Sequence, residues 1–521
     1  MRCIRFVGIL VCLLSASCAN IKGITGGPDD KTAPALRLDI SSPNFQKNFK
    51  DRQIILGFNE WIRLDNPSTN ISISPTLQYL PEFKLKGKRL IIEFDEREIL
   101  KENTTYSIQF GESIKDITAG NIQRDLRYIF STGDFIDSLS ISGIVKNAFT
   151  REAKEKLIVG LYKNLDDTAF QKTKPFYFTW TDTAGKFSLE NLSPGNYKLY
   201  ALEDKNQNYF YDQTSESFAF LNDPIQIEQD KNNNYFLNLS IASIPVFIKD
   251  RFVKPGITKF LFNEKPASIN INCERNSDYI KAVDLDSLLI WNKSRDSLNC
   301  ILDFGFKKDT FFIPPLNDIS TISSRSLILS NNFVKPTEWP AFIFDFPIKK
   351  ITPEKIYFLD STVSVTSISY DTIDPRKFYI QGNFNSKKES KVIFSEGAIE
   401  AWFNAKNKLD TFRINYIEKA SLSRLKLAFD SLQIGYSYIF QLITNTNVAL
   451  EKHFIPNTTS QELVLTNIFP GNYKVRLIHD QNNNKKWDPG NYTNKTQAEV
   501  VWYFGLPELR ADWDIDVKLK P

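Results

Sequence analysis

The sequence predicts an all-β fold, a string of antiparallel β-sandwich domains. Short segments with alternating apolar residues recur along the chain, among them residues 54–58, 89–94 and 105–110. Turns rich in Gly, Pro, Asn and Asp separate these segments, and no segment of helical periodicity lies between them. Regularly spaced short strands without intervening helices are typical of antiparallel sandwiches.

The composition indicates several folded domains and argues against two classes of protein. A chain of 521 residues suffices for roughly three to five domains. Hydrophobic residues make up 42% of it, which is enough for buried cores and excludes a disordered stalk. The formal net charge is +4, or +2 without Arg2 and Arg5, and basic residues form no dense run. Nucleic acid is therefore excluded as a partner.

Residues 1–17 are predicted to be a signal peptide. Two arginines precede an apolar core at residues 6–14, which is too short to cross a bilayer, since a spanning helix needs about 20 residues. Small residues then lead into Cys18, and this arrangement resembles a bacterial lipoprotein signal, although Ser15 stands where that signal usually has leucine. The resemblance implies that Cys18 is acylated and becomes the first residue of the mature protein. An ordinary signal peptide is the alternative, because the same small residues suit its cleavage rule.

Residues 18–33 are predicted to form a flexible tether, because they are polar and rich in Gly and Pro. Fully extended, such a segment spans at most about 50 Å, which lets a folded body stand clear of a membrane. No other apolar run approaches membrane-spanning length. Membrane attachment therefore depends on the lipid at Cys18.

Residues 34–135 are predicted to form the first sandwich. Its motifs are F-N-E-W-I at residues 58–62, T-Y-S-I-Q-F at 105–110, I-K-D-I-T-A-G-N at 114–121 and Y-I-F-S-T-G at 128–133. Together they resemble the S-layer-type bacterial Ig-like domain. The resemblance implies a structural and adhesive module without chemistry of its own.

Residues 136–240 are predicted to form a sandwich of a second type. Strand-like segments lead into N-L-S-P-G-N-Y-K-L at residues 191–199, where Pro sets φ and Gly supplies a positive φ for a tight turn. The pattern is similar to transthyretin-like and carboxypeptidase-regulatory sandwiches. That resemblance implies a spacer or a folding support.

Both units recur, which predicts a duplicated pair of domains. Residues 463–475 repeat the Pro-Gly hairpin at a constant shift of 276, and residues 344–348 and 391–401 repeat the Ig-like motifs at shifts of 288 and 284. We therefore expect a second Ig-like domain at residues 340–416 and a second transthyretin-like sandwich at 417–521. Residues 241–339 are a β-rich segment without an assignment.

An acidic, Asn-rich loop follows each Pro-Gly hairpin. Oxygen-bearing side chains fall at positions 1, 3, 5 and 9 of both loops, namely Asp204, Asn206, Asn208 and Asp212 in the first and Asp480, Asn482, Asn484 and Asp488 in the second. Calcium takes six to eight oxygen ligands, and the spacing resembles the calcium loops of extracellular β-modules and dockerins. Neither loop has the Gly at position 6 or the Glu at position 12 of an EF-hand, so we expect weak structural binding, with a dissociation constant of about 10⁻⁴ to 10⁻³ M. A polar turn without metal is the alternative, and no other cofactor is expected.

Two cysteines, Cys273 and Cys300, lie outside the leader and the lipidation site. In an oxidising compartment they could pair as a disulfide. Two separate buried thiols are the alternative.

The sequence contains little that could support catalysis. It has two histidines, His453 and His479, and lacks the G-x-S-x-G, H-E-x-x-H and C-x-x-C motifs and a phosphate-binding Gly loop. We therefore predict that the protein is not an enzyme. A glycosidase is the alternative, because its paired carboxylates need no local motif. Glu60 and Glu112 are its candidate carboxylates.

The predicted function is that of a non-catalytic, lipid-anchored envelope protein acting as a structural scaffold or adhesion component. The chain resembles Ig-like lipoproteins of the Bacteroidetes type, which implies an outer-membrane location, either facing the periplasm or on the cell surface. The expected partners are the membrane, through the lipid, and an envelope protein or glycan. A carbohydrate- or peptidoglycan-binding module is the alternative, because Trp487, Trp502 and Trp513 could stack on sugars or could fill sandwich cores.

Overall fold

The computed structural model describes residues 30–228, 234–284, 286–305, 307–315, 321–328, 333–360, 363–384, 389–402, 405–445 and 447–521. The predicted signal peptide, Cys18 and most of the predicted tether lie outside the described residues. The chain divides into two compact units. Unit 1 is Met1–Ala242 with Gly490–Gln497, and unit 2 is Ser243–Pro489 with Ala498–Pro521. The prediction of an all-β fold made of antiparallel sheets is confirmed.

Strands β1 to β8 build the first domain of unit 1. They are β1 (Gln53–Gly57), β2 (Ile62–Leu64), β3 (Ser72–Ser74), β4 (Glu82–Lys86), β5 (Arg89–Glu93), β6 (Thr105–Gln109), β7 (Ile114–Asp116) and β8 (Arg127–Ser131). They form a sheet of order β1-β5-β4, a sheet of order β3-β6-β8 and the pair β2-β7. The alternation seen in the sequence places Ile54 and Leu56 of β1 in one core with Phe130 of β8, and all three side chains are buried.

Strands β9 to β16 build the second domain of unit 1. They are β9 (Leu139–Asn147), β10 (Ile158–Tyr162), β11 (Tyr177–Trp180), β12 (Lys186–Leu192), β13 (Gly195–Leu202), β14 (Ser217–Phe220), β15 (Ile225–Ile227) and β16 (Asn234–Ile241). The strand order is β11-β10-β13-β14-β16-β9-β12, and β15 pairs with β13. The predicted Pro-Gly turn connects β12 to β13, and Gly195 has a φ of 151° there.

Strands β17 to β23 form the first part of unit 2. They are β17 (Ile248–Lys254), β18 (Ile257–Phe262), β19 (Asn270–Cys273), β20 (Tyr279–Asp284), β21 (Ser287–Asn292), β22 (Leu298–Asp303) and β23 (Lys308–Ile313). The sheets have the orders β17-β18-β21-β20 and β19-β22-β23. The segment left unassigned by the sequence therefore contains two antiparallel sheets around a core of its own.

Strands β24 to β34 follow in unit 2. They are β24 (Thr321–Ile322), β25 (Ser324–Ile328), β26 (Ala341–Phe344), β27 (Ile348–Ile351), β28 (Ile356–Phe358), β29 (Ser364–Tyr370), β30 (Lys377–Asn383), β31 (Glu389–Phe394), β32 (Ile399–Ala401), β33 (Lys406–Asn407) and β34 (Asp410–Asn415). Strand β25 pairs with β26 and β24 pairs with β33. These sheets thus include strands that precede the predicted boundary at residue 340.

Strands β35 to β41 complete unit 2. They are β35 (Ser423–Phe429), β36 (Ser437–Thr444), β37 (Asn447–Phe454), β38 (Gln461–Ile468), β39 (Lys474–Asp480), β40 (Val501–Gly505) and β41 (Asp514–Leu519). They form sheets of order β38-β35-β41 and β37-β36-β39-β40.

Strand pairing repeats between the two units. The set β1-β5-β4, β3-β6-β8 and β2-β7 has its counterpart in β26-β30-β29, β28-β31-β34 and β27-β32. In the other domain type, β9 pairs in parallel with β16 and antiparallel with β12, and β35 does the same with β41 and β38. The order β11-β10-β13-β14 likewise matches β37-β36-β39-β40. Two copies of a two-domain arrangement are thus present in the strand topology.

In the part of the chain that the structure describes, helices are few and short. The α-helices are Pro67–Asn70 and Ala169–Lys172, and the 3-10 helices are Leu38–Ile40, Asn276–Asp278, Pro353–Lys355 and Lys419–Ser421. Within the described ranges, no helix has the length and apolar character needed to cross a membrane.

Candidate functional site

The first Asn/Asp loop, which follows β13, is closed by its own side chains. The carboxylate of Asp204 accepts hydrogen bonds from the backbone N–H groups of Asn208 and Tyr209, at 3.2 and 2.8 Å. The carboxylate of Asp212 accepts from the side-chain amides of Asn206 and Asn208, at 3.1 and 2.7 Å. All four residues predicted at positions 1, 3, 5 and 9 therefore belong to one hydrogen-bonded network.

The second loop, which follows β39, repeats these bonds. Asp480 accepts from the backbone N–H groups of Asn484 and Lys485, both at 3.0 Å. Asp488 accepts from the side-chain amides of Asn482 and Asn484, both at 2.6 Å. The two loops therefore share not only their sequence spacing but also the bonding role of every predicted residue.

Backbone conformation is also shared at position 6, where an EF-hand loop has glycine. Tyr209 has a φ of 70° and Lys485 a φ of 64°. Both non-glycine residues are thus held in the left-handed region, which is unfavourable for residues with a Cβ atom. Both loops therefore keep a left-handed residue at position 6 although neither has glycine there.

A glutamate that the loop spacing does not predict closes each loop. The Glu216 carboxylate accepts from the N–H groups of Lys205 (3.2 Å) and Asp212 (3.3 Å). The Glu499 carboxylate accepts from those of Gln481 (2.7 Å) and Asp488 (3.0 Å). Both glutamates are buried, at 0% and 5% exposure.

Burial has an electrostatic consequence at the second loop. Burial, together with the neighbouring carboxylates of Asp488 and Asp480, raises the pKa of Glu499 to about 7, against the backbone hydrogen bonds that lower it. A carboxyl group with this pKa holds a proton over part of the neutral pH range. The loop is therefore a place where protonation and cation binding would compete.

Each loop offers oxygen donors of the type that calcium prefers, three carboxylates and two amide oxygens. Turning the two asparagine amides would point their oxygens, instead of their nitrogens, at the second aspartate of the loop. Yet the carboxylates of the loops do not form a tight cluster. In the described part of the chain, the group of three that brings one oxygen each within 4.8 Å of the others is Asp30, Glu60 and Asp116. The metal assignment of the loops thus stays a prediction.

That carboxylate group lies in the first domain, and its buried member has a structural role. Asp116 is fully buried and accepts backbone N–H bonds from Ala119 (2.5 Å), Gly120 (3.0 Å) and Asn121 (2.8 Å). Burial opposes its ionisation, but the backbone hydrogen bonds outweigh the burial and lower the pKa of Asp116. It therefore holds the turn after β7.

Glu60 belongs to this group and is a candidate carboxylate for a glycosidase. Burial, then the nearby charges of Asp116 and Asp30, raise the pKa of Glu60. Glu112, the second candidate carboxylate, forms an ion pair with Arg124 in which both side chains are more than half exposed. Asp116 and Glu112 thus each have a structural partner, a backbone turn for Asp116 and an arginine for Glu112.

Cys273 and Cys300 are directly opposite each other on β19 and β22. Their sulfur atoms are joined in a disulfide with a length of 1.98 Å, and both residues are buried. The bridge belongs to the core of the β17–β23 region.

The three C-terminal tryptophans have different surroundings. The indole N–H of Trp487 donates to the Glu499 carbonyl oxygen at 3.0 Å, and Trp502 packs against the domain core. Trp513 is 49% exposed, with the Arg510 guanidinium 5.0 Å from its ring centroid. Two of the three therefore have structural contacts, and Trp513 remains available to a ligand.

The histidines have no catalytic surroundings in the described structure. His479 is buried between aromatic rings, with the ring of Tyr438 at 5.1 Å, and burial lowers its pKa. His453 contacts Glu451 at 2.9 Å on the surface strand β37. The one histidine is part of the core, and the other is half of a surface pair.

Comparison with known proteins identifies one domain. Residues 30–132 match the family model described as a bacterial Ig-like domain. The chain therefore contains a bacterial Ig-like domain where the sequence motifs predicted one. No curated protein matches the chain.

Solved structures of several surface proteins align with the chain at low identity. Domains 5–6 of the S-layer protein SbsC align at 11% identity over 34% of this chain and 97% of that chain, with a TM-score of 0.20. The S-layer protein rSbsC aligns at 11% identity over 84% of this chain and 64% of that chain, with a TM-score of 0.16. BcpA, the major pilin subunit of Bacillus cereus, aligns at 10% identity over 74% of this chain and 99% of that chain, with a TM-score of 0.15. TM-scores this low carry no argument about function.

Proposed function

We propose that the protein is a non-catalytic scaffold or adhesion component of a bacterial cell envelope, held to a membrane by lipid on Cys18. The observation that carries the proposal is the repeated pairing of the two sandwich types, β1–β16 and β26–β41, each built around apolar cores. The bacterial Ig-like domain at residues 30–132 supports a role of this class.

The bonding of the acidic residues supports a non-catalytic role. A catalytic carboxylate must be free to exchange a proton with a substrate. The buried carboxylates of Asp116, Glu216 and Glu499 instead accept backbone N–H groups and hold turns. These side chains stabilise loops.

Lipid attachment is the part of the proposal that can be tested most simply. We expect radiolabelled palmitate to label the protein in a bacterial host, and Cys18→Ala to abolish the label and release the protein from membranes. Cys12→Ala serves as the matched control, because that cysteine lies within the proposed leader, and it should leave labelling intact. Equal labelling of the Cys18→Ala variant and the unaltered protein would refute the anchor.

The proposed location is the outer membrane, with the sandwiches facing either the periplasm or the medium. Protease treatment of intact cells distinguishes the two faces, since only surface-exposed domains are cut before the cells are lysed. The proposed partner is an envelope protein or glycan.

Each Asn/Asp loop is further proposed to bind a structural calcium ion. The observation that favours this role is that both loops share the bonds of their two aspartates and of a buried glutamate, Glu216 or Glu499. A cation would neutralise carboxylates that the fold gathers in each loop. The ion would stiffen the loop and take no part in chemistry.

Glycan binding is the second candidate function, and exposed Trp513 favours it. An exposed indole can stack on the apolar face of a sugar ring. If this role holds, Trp513→Ala should lose retention on peptidoglycan or glycan arrays, whereas Trp502→Phe, a conservative change in the packed tryptophan, should keep it. Equal retention of both variants, or none for the unaltered protein, would remove this candidate.

A further inference from the structure

A cleft of about 440 Å³ lies within unit 1, where the first and second domains meet. Three lysines line it, Lys101, Lys163 and Lys174, together with a single carboxylate, that of Glu98. Its remaining walls combine apolar side chains with threonine, glutamine and asparagine. The cleft is therefore cationic and has polar groups that could orient a ligand.

Two of these ammonium groups converge on one ring. Lys101 Nζ is 4.0 Å and Lys163 Nζ is 3.9 Å from the ring centroid of Phe176. The two nitrogens are therefore no more than about 8 Å apart, a separation at which like charges repel. Lys101 comes from the first domain and Lys163 from the second, so folding of unit 1 creates this pair.

Neither ammonium group forms an ion pair within the described structure. Within the described residues, no carboxylate oxygen lies within 4.0 Å of Lys101 Nζ or Lys163 Nζ. The nearby carboxylate of Glu98 is buried and accepts the backbone N–H of Tyr79 at 2.7 Å. Burial, and then the charge of Lys163, lower the pKa of Lys101 against the opposing charge of Glu98. Burial lowers the pKa of Lys163 against the opposing charge of Asp137. Two lysines without an ion-pair partner in the described structure thus line one cleft.

Hydrogen bonds fix the backbone of Lys101 and of Phe176. The N–H of Lys101 donates to the Tyr106 hydroxyl (2.8 Å), and its carbonyl accepts the Thr132 hydroxyl (2.6 Å). The carbonyl of Phe176 accepts the Thr76 N–H at 2.9 Å across the domain junction, and its own N–H donates to Leu161 on β10 at 2.7 Å. The backbone of the site is thus held in place before a ligand binds, which lowers the entropic cost of binding.

We propose that this cleft binds a small anionic ligand, a sugar or short molecule that bears a carboxylate or a phosphate group. The anion would lie beside Lys101 and Lys163 and form the ion pairs that neither lysine makes within the described structure. Lysine recognises both groups as a point charge. The proposal does not depend on the scaffold role, because a cleft within unit 1 can bind a ligand whatever the envelope partner is.

The test is calorimetric titration of the full chain with inorganic phosphate and with glucuronate, using glucose as the uncharged probe. We expect saturable binding of at least one of the two anions and none of glucose. Lys101→Gln with Lys163→Gln should weaken binding about tenfold or more, because both charges are lost. Lys86→Gln with Lys172→Gln is the matched control with the same change in net charge, and it should change affinity less than about twofold.

A charge-conserving variant, Lys101→Arg with Lys163→Arg, separates binding from folding and should retain anion affinity. Binding of phosphate alone or of glucuronate alone supports the site and identifies its anion. The proposal is overturned if neither anion binds the unaltered protein, if glucose binds as well as glucuronate, or if the two glutamine pairs bind equally. It is also overturned if the Lys101/Lys163 glutamine pair loses thermal stability but not anion affinity, since the lysines then serve only to cover Phe176.

Discussion

Glu216 and Glu499 occupy the same place in two loops although their positions in the sequence do not correspond. Asp204 and Asp480, which begin the loops, are 276 residues apart, whereas the two glutamates are 283 residues apart. Each glutamate nevertheless accepts the N–H groups at positions 2 and 9 of its loop. The extra residues lie between loop and glutamate, in the stretch that contains Gly490–Gln497, which belongs to unit 1.

The raised pKa of Glu499 predicts a pH dependence of stability. Because its folded pKa is about 7 and its unfolded pKa about 4.5, the native state binds the extra proton between these values. The contribution of this group is therefore fully present below pH 4.5 and is lost as pH rises through about 7, by at most roughly 3 kcal/mol. Urea denaturation between pH 5 and 8 measures it.

Glu499→Gln isolates this effect, because glutamine cannot ionise. The variant should show a flatter pH profile across that window, at the cost of one backbone hydrogen bond, about 1–3 kcal/mol. Glu508→Gln is the matched control, since Glu508 is over half exposed beside Arg510, and it should keep the profile of the unaltered protein. A Glu499→Gln profile as steep as that of the unaltered protein would show that this carboxyl group keeps an ordinary pKa.

Calcium should stabilise the protein if the two loops bind it. With a dissociation constant of about 1 mM, calcium at about 10 mM would add roughly 1.4 kcal/mol for each loop. Differential scanning calorimetry should show a higher melting temperature with calcium than with magnesium. Asp204→Ala with Asp480→Ala should remove the increment. No calcium response in either the unaltered protein or this variant would leave the loops as polar turns.

Reductant should lower the stability of the protein only while the disulfide between Cys273 and Cys300 is present. Because Cys273 and Cys300 are 27 residues apart, closing the loop should stabilise the fold by about 3 kcal/mol. Reduction should lower the denaturation midpoint of the unaltered protein and leave that of the Cys273→Ser, Cys300→Ser variant unchanged. Two free thiols by mass spectrometry of the native protein would contradict the bridge.

The first core should be sensitive to loss of one ring. Phe130 is fully buried, and its centroid is 4.3 Å from that of Phe49 and 5.2 Å from that of Tyr106. Phe130→Ala should therefore destabilise unit 1 by about 3–5 kcal/mol in urea denaturation. Phe135→Ala, at a residue 44% exposed, should cost less than about 1 kcal/mol. Similar losses for the two variants would mean that the ring cluster is not a packed core.

The strand pattern could be predicted from the sequence because period-two alternation directly reports which face is buried, as at Ile54 and Leu56 of β1. The eight loop residues could also be predicted, since both copies keep their spacing. Glu216 and Glu499 could not be predicted, because inserted residues break that spacing. The proximity of Lys101 to Lys163 could not be predicted either, because it depends on how two domains meet.

Chemical cross-linking of intact cells, followed by capture of the protein and mass spectrometry, tests the scaffold role most directly. We expect one stable set of envelope proteins to be recovered with the chain, and the set should be lost from cells that express the Cys18→Ala variant. Recovery of the protein alone, in the soluble fraction and free of cross-links, would contradict a role as an anchored structural component.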